Sequence, residues 1–184
     1  MNRNIQNLKK QKGLTLIEIS IGIVIAAALL FGLFYLVSVV NDRSTVKDEV
    51  QYYNQMTADA RTKFRQQGNY TGATAGSLIN LGIVPPALVN GVNITSGFGG
   101  NVAVAPINLN GAANDGLQLT YTLPRRLCPD FVDGIAGSAN RITVDGDIVK
   151  DSPANTPTLD VNAMGAACDA SAAGNVTVVL ASGR

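Results

Sequence analysis

Histidine and tryptophan are absent from this 184-residue chain, and cysteine occurs only twice. Without histidine there is no Ser-His-Asp triad, no Cys-His dyad and no histidine-ligated zinc. Charge is sparse as well: Asp, Glu, Lys and Arg make up 15% of the residues, and the formal net charge is +1. The C-terminal part holds no basic cluster, which argues against a dedicated nucleic-acid binder. No catalytic constellation can be assembled from what remains. The expectation is a protein that is not an enzyme and that uses no cofactor or metal.

What the chain does have is one long charge-free run. Residues 19 to 41 carry no charge, and 18 of the 22 residues from Ile19 to Val40 are apolar. As a helix, 23 residues extend about 34 Å at about 1.5 Å per residue. That length suits a hydrocarbon core of about 30 Å with some tilt. Ahead of it stand Arg3, Lys9, Lys10 and Lys12, with no acid among the first 13 positions. A basic flank stays cytoplasmic, so the rest of the chain is expected on the outer side of the membrane. A secretory core is shorter and is followed by a small-x-small cleavage site, which is missing here. Gly22 and Gly32 are ten apart, so they form no GxxxG motif and instead permit close helix packing or local melting.

Glu18 is the only charge between Lys12 and Asp42. A carboxylate beside hydrocarbon needs a partner. Two readings stay open and do not exclude each other. Thr15-x-x-Glu18 fits a capping box at a helix start. Alternatively, cleavage after Gly13 would create a cationic α-amino group at Leu14, with which Glu18 could pair in its own or a neighbouring chain.

Lys12-Gly13-Leu14-Thr15-Leu16-Ile17-Glu18, followed by an apolar helix, resembles the leader of type IV prepilins and pseudopilins. The resemblance implies a prepilin peptidase that cuts between Gly13 and Leu14 and methylates the new N-terminus at Leu14. It also implies that Glu18 is the assembly glutamate, neutralising the terminus of an adjacent subunit. Leucine at the first mature position suits the type IVb branch.

Beyond the run, Val46, Val50, Tyr53, Thr57, Ala60 and Phe64 recur in steps of four, three, four, three and four, a single helical stripe. Proline is absent before Pro85, and Gly68 offers a stop. One helix over residues 14 to 67 is expected, with 19 to 41 as the transmembrane or filament-core part. Residues 68 to 184 hold 16 of the 19 glycines and all seven prolines, the profile of a loop-rich β domain. Alternation marks candidate strands at Leu117–Leu123, Ile142–Val144 and Val176–Leu180. Asn90-Gly91 and Asn110-Gly111 are turn signals, and Asp145-Gly146 closes a hairpin onto Ile148-Val149. A short helix is expected at Ala75–Leu81, stopped by Gly82. The fold class is α+β, an antiparallel sheet laid on the second half of the long helix.

The head carries its own resemblance. Gly68-Asn69-Tyr70-Thr71, the segment Ser77 to Pro85, Asn90-Gly91 and Phe98 to Val102 are similar to the PilS and toxin-coregulated-pilin group of type IVb pilins. That implies the type IV pilin fold, with a C-terminal disulfide bounding a surface region. Cys128 and Cys168 match its placement, and an even cysteine count in a translocated domain independently favours a disulfide. Asp145-Gly146-Asp147 and Asp151 resemble part of a calcium loop but lack its spacing, and a turn is the better reading. Arg125-Arg126 reads as a solvated pair beside Pro124. Three N-x-[ST] triplets, at Asn69, Asn93 and Asn175, are short enough to arise by chance.

The expected function is that of a major pilin, a structural subunit polymerising with itself into a type IVb pilus for adhesion, bacterial aggregation or conjugative contact. A minor pilin or type II secretion pseudopilin is the alternative, and a membrane-anchored periplasmic binding domain a more distant one. The resemblance implies as partners a prepilin peptidase, an assembly ATPase with its membrane platform, and an outer-membrane secretin. It places the precursor in the inner membrane and the product in an extracellular filament.

Overall fold

The computed structural model describes residues 16–154, 156–170 and 174–183; the side chains of Leu16, Glu18, Phe34 and Tyr35 lie outside that description. Among the described residues, four α-helices and seven strands follow in the order α1 (Leu16–Lys63), α2 (Ala75–Asn80), β1 (Val89–Asn90), β2 (Asn93–Thr95), β3 (Asn101–Ile107), β4 (Gly116–Pro124), α3 (Cys128–Ile135), β5 (Arg141–Val144), β6 (Asp147–Asp151), α4 (Val161–Ala170) and β7 (Asn175–Gly183). The chain divides into two compact units, residues 1–41 and 42–184.

Among the described residues, the first unit is helix alone. Its large apolar side chains face outward: Ile19, Ile23, Leu29, Phe31, Leu36 and Val40 are all exposed. It belongs to the one described helix that is long and apolar enough to cross a membrane.

In the second unit α1 behaves as an amphipathic core helix. Val46, Tyr53, Met56, Thr57, Ala60 and Phe64 are buried, and Val50 is half-buried. Regular helix stops at Lys63, short of Gln67. The next turn is looser, with the Phe64 N–H bonded to Ala60 O and the Gly68 N–H to Phe64 O. Gly68 adopts φ 81°, which glycine tolerates best, so the chain leaves the helix there. Phe64 then packs on Tyr70, ring centroids 5.5 Å apart.

The sheet order is β1-β2-β3-β4-β7-β5-β6, with every neighbouring pair antiparallel. The last strand, β7, is therefore internal: it inserts between β4 and β5 and bonds to both. Leu117, Leu119, Tyr121 and Leu123 of β4 and Val176, Val178 and Leu180 of β7 are buried in one core with Tyr53, Met56 and Ala60 of α1. Alternation is the reason, since every second side chain on these strands shares a face.

Turn chemistry fits the local geometry. Asp145 (φ 47°) and Gly146 (φ 99°) form a two-residue loop between the paired Val144 and Asp147. Both positive φ values are what a type I′ hairpin turn requires. Thr74 caps α2 through a capping box with Ser77, and Gly82 (φ 66°) follows the helix end. Five elements of the head had no strand or helix expectation from sequence: β1, β2, β3, α3 and α4.

Candidate functional site

The sequence leads one to expect working surfaces rather than a catalytic centre, so the residues that matter are those that would present, hold or process such surfaces. Gly13, Leu14 and Thr15 lie outside the described residues. Glu18 is helical in backbone, and its side chain is outside the description. The surface that follows is described, and it is apolar. Gly22 and Gly32 interrupt it with open space, since a Cβ built on either meets nothing within 4 Å. Apolar surface of this extent must be covered by lipid or by other helices.

In the head, α1 holds the loop between β2 and β3. Glu49 is 1% exposed, and its Oε1 accepts a hydrogen bond from the Gly97 N–H at 2.5 Å. A Cβ at Gly97 would stand 3.1 Å from both Glu49 Oε1 and Thr45 Cγ2, so glycine lets the loop lie this close to the helix. Burial pushes the Glu49 carboxyl upward, the Gly97 N–H offsets part of that, and the Asp48 charge adds to it. The same core buries the Tyr121 and Tyr53 hydroxyls, and desolvation raises both phenols above their ordinary range. The helical stripe points to a packed face but not to a glutamate within it. In sequence, Glu49 is one charge among many between residues 42 and 65.

Cys128, at the start of α3, is joined to Cys168 in α4, with Cα atoms 5.8 Å apart. The bridge encloses β5, β6 and most of both helices. A second clamp crosses the same region: Lys150, on edge strand β6, donates to Ala136 O and Ala139 O just past the end of α3. A cation at these carbonyls complements the helix dipole, and burial lowers the Lys150 pKa. The sequence pattern offers no sign of this clamp.

Arg125 and Arg126 are exposed, and each has its own carboxylate. Arg125 pairs with Asp169, and Arg126 grips Asp42 with Nε and Nη2 at 2.8 and 3.0 Å. The pairing holds Asp42 below the usual carboxylate range. The aspartates near β6 have structural partners: Asp145 accepts the Thr177 N–H, and Asp151 accepts Arg141 Nε. The arrangement serves a turn and an ion pair.

Comparison with known proteins agrees with this geometry. A family model described as "PilS N terminal" matches residues 43–183, almost the whole second unit. The chain belongs to the PilS family of type IVb pilins. A second model, the prokaryotic N-terminal methylation motif, matches residues 8–34 of this PilS pilin, spanning Gly13 and the start of the apolar run. The major structural subunits of the bundle-forming pilus from Escherichia coli O127:H6 and O111:H- are each 29% identical to the PilS pilin over 122 residues, 65% of its chain. The match spans 63% of each relative's length. Among solved structures, TcpA, a type IV pilin from Vibrio cholerae El Tor, aligns with TM-score 0.61 at 16% identity, covering 75% of this chain and 98% of that one. A type IVb pilin from Salmonella typhi aligns with TM-score 0.55 at 18% identity, covering 73% of this chain and 97% of that one. The PilS pilin has the type IV pilin fold, with its C-terminal disulfide.

Proposed function

We propose that this PilS pilin is the major structural subunit of a type IVb pilus, a homopolymer built by packing many copies of α1 side by side. The observation that carries this reading is the contrast between a head with a closed core and a bare apolar helix. Family membership and the bundle-forming relatives support it.

In this reading residues 1–13 are a leader, residues 14–67 form the long helix with 19–41 in the membrane and then in the fibre core, and residues 68–184 are the head. A prepilin peptidase cuts between Gly13 and Leu14 and methylates the Leu14 amine. Glu18 then pairs with that amine in a neighbouring subunit. Burying the carboxylate and the amine in a fibre core is favourable only as a pair, which selects one axial register. The precursor waits in the inner membrane with its N-terminus cytoplasmic and its head periplasmic. An assembly ATPase with its platform, and a secretin, carry the product outward as an extracellular filament.

Mass spectrometry of material sheared from the cell surface tests the proposal. The expected result is an abundant species starting at N-methyl-Leu14, with Cys128 joined to Cys168. A trace of that species beside another abundant pilin would assign it to the minor subunits. Only uncut chain, found in membranes of cells with an active prepilin peptidase, would overturn the reading.

A further inference from the structure

A groove between α1 and α3 has no part in the roles described above. One wall carries Arg43, Val46, Lys47 and Val50, the other Asp130 and Gly134, and the space measures about 410 Å³. Gly134 closes its inner end by letting α3 lie directly on α1: a Cβ there would stand 2.8 Å from Val50 Cγ2. Val46 is buried and Val50 half-buried, so the floor is aliphatic, whereas Arg43, Lys47 and Asp130 are exposed. Asp133, next to Gly134 on α3, is exposed but does not line the groove, and the acids on α1 are engaged or turned elsewhere. Asp42 is held by Arg126, Glu49 faces Gly97, and Asp48 lines a separate groove with Thr45 and Tyr52.

Two cations on one wall, a carboxylate on the other and an aliphatic floor are the charge complement of a phosphodiester next to an ammonium, above acyl chain. We propose that this groove binds the headgroup of an ethanolamine phospholipid, with its phosphate on Arg43 and Lys47 and its ammonium on Asp130. The inference rests on the membrane-anchored precursor of the proposed function. Position along the chain supports it. Arg43 is two residues past Asn41, the end of the charge-free run. Residues 43 to 47 follow directly in sequence, where a chain leaving hydrocarbon meets the polar headgroups. An anionic lipid would satisfy the two cations and leave Asp130 facing its charge. A choline lipid offers Asp130 no N–H donor. Occupancy gives the waiting precursor a second contact with the bilayer, and withdrawal of the subunit from the membrane empties the groove.

The test places the full-length precursor in nanodiscs of equal parts ethanolamine, choline and glycerol phospholipids and releases it for native mass spectrometry. The wild-type chain should retain the ethanolamine lipid over each of the others by about threefold, within what a partly exposed ion pair contributes. Asp130→Asn should remove the preference over choline lipid. The double variant Arg43→Gln, Lys47→Gln should return retention to the bulk ratio, with thermal unfolding unchanged in both variants. Equal retention of the three lipids by the wild-type chain overturns the proposal, as does a preference that survives the variants. So does a protein dimer, sensitive to Lys47→Gln, in place of bound lipid, which would make a second copy the occupant. A chain that enters the nanodisc and shows no preference sinks this inference alone. A chain that does not enter sinks the membrane-anchored reading along with it.

Discussion

The apolar residues of α1 before and after Asn41 have opposite fates. In the first unit Ile23 is 64% exposed and Phe31 77%; in the second, Tyr53, Met56 and Ala60 are each 0% exposed. Both stretches are helix and both are rich in large side chains, so helix propensity does not separate them. Partners inside the chain do. The stripe from Val46 to Phe64 meets β4 and β7 in one core, while among the described residues the earlier stretch has no such sheet to meet. A face buried within its own chain gives its stabilisation to the fold, and a bare face reserves it for an assembly. The contrast predicts which substitutions stop the fibre and which weaken the head.

The largest effect belongs to processing. Gly13→Phe should leave uncut precursor in the membrane and no fibre, checked by mass spectrometry of membrane and sheared fractions; normal cleavage would break the leader assignment. Glu18→Ala comes next. It should still be processed, yet yield far less fibre than wild type by electron microscopy of sheared material. Wild-type fibre yield would leave the capping box at Thr15 as the better account of this glutamate.

Substitutions in the second unit should act on stability. Replacing Cys128 and Cys168 with serine should cost about 4 kcal/mol, the loop-closure entropy of a bridge that spans 40 positions. Denaturant unfolding with and without reductant reads it directly. Gly134→Ala forces a Cβ to 2.8 Å from Val50 Cγ2. The expected loss is about 1–3 kcal/mol, typical of overpacking, and Val50→Ala in the same chain should recover part of it. Both effects should appear in thermal unfolding of the head and leave cleavage at Gly13 untouched, which sharpens the contrast between the units.

The smallest effect is that of Glu49. Its folded pKa is raised above the ordinary 4.5, so the folded state holds its proton to higher pH than the unfolded chain does. The stability this provides is complete below pH 4.5 and is lost as pH rises through the folded value. Glu49→Gln keeps an acceptor for the Gly97 N–H but cannot ionise. The variant should lack this slope and match or slightly exceed wild-type stability at neutral pH. Parallel pH profiles for the two proteins would show that the carboxylate is better compensated than its burial suggests.

Much of the architecture was legible before any coordinates. The charge-free run, the stripe after it, the alternation in β4, β5 and β7, and the turns at Asn90-Gly91 and Asp145-Gly146 are local signals with a fixed period or a fixed backbone demand. A period of 3.6 or 2 is written in adjacent residues, so it survives without knowledge of the fold. The proposed leader signal is also local, because it lies in the adjacent residues Lys12 to Glu18.

Other features depended on pairings between residues far apart in sequence, and no local pattern carries them. That β7 enters the middle of the sheet, bonded to both β4 and β5, is set by long-range pairings. Glu49 became a buried acceptor because Gly97 comes to it from 48 positions away. Lys150 became a cap for α3 in the same manner, and Arg126 found Asp42 across 84 positions. Local residue order determined the long helix, the principal strands and their turns. Tertiary structure decided which charges were taken from water and by what they were met, because desolvation and its compensation depend on every group that folding brings near.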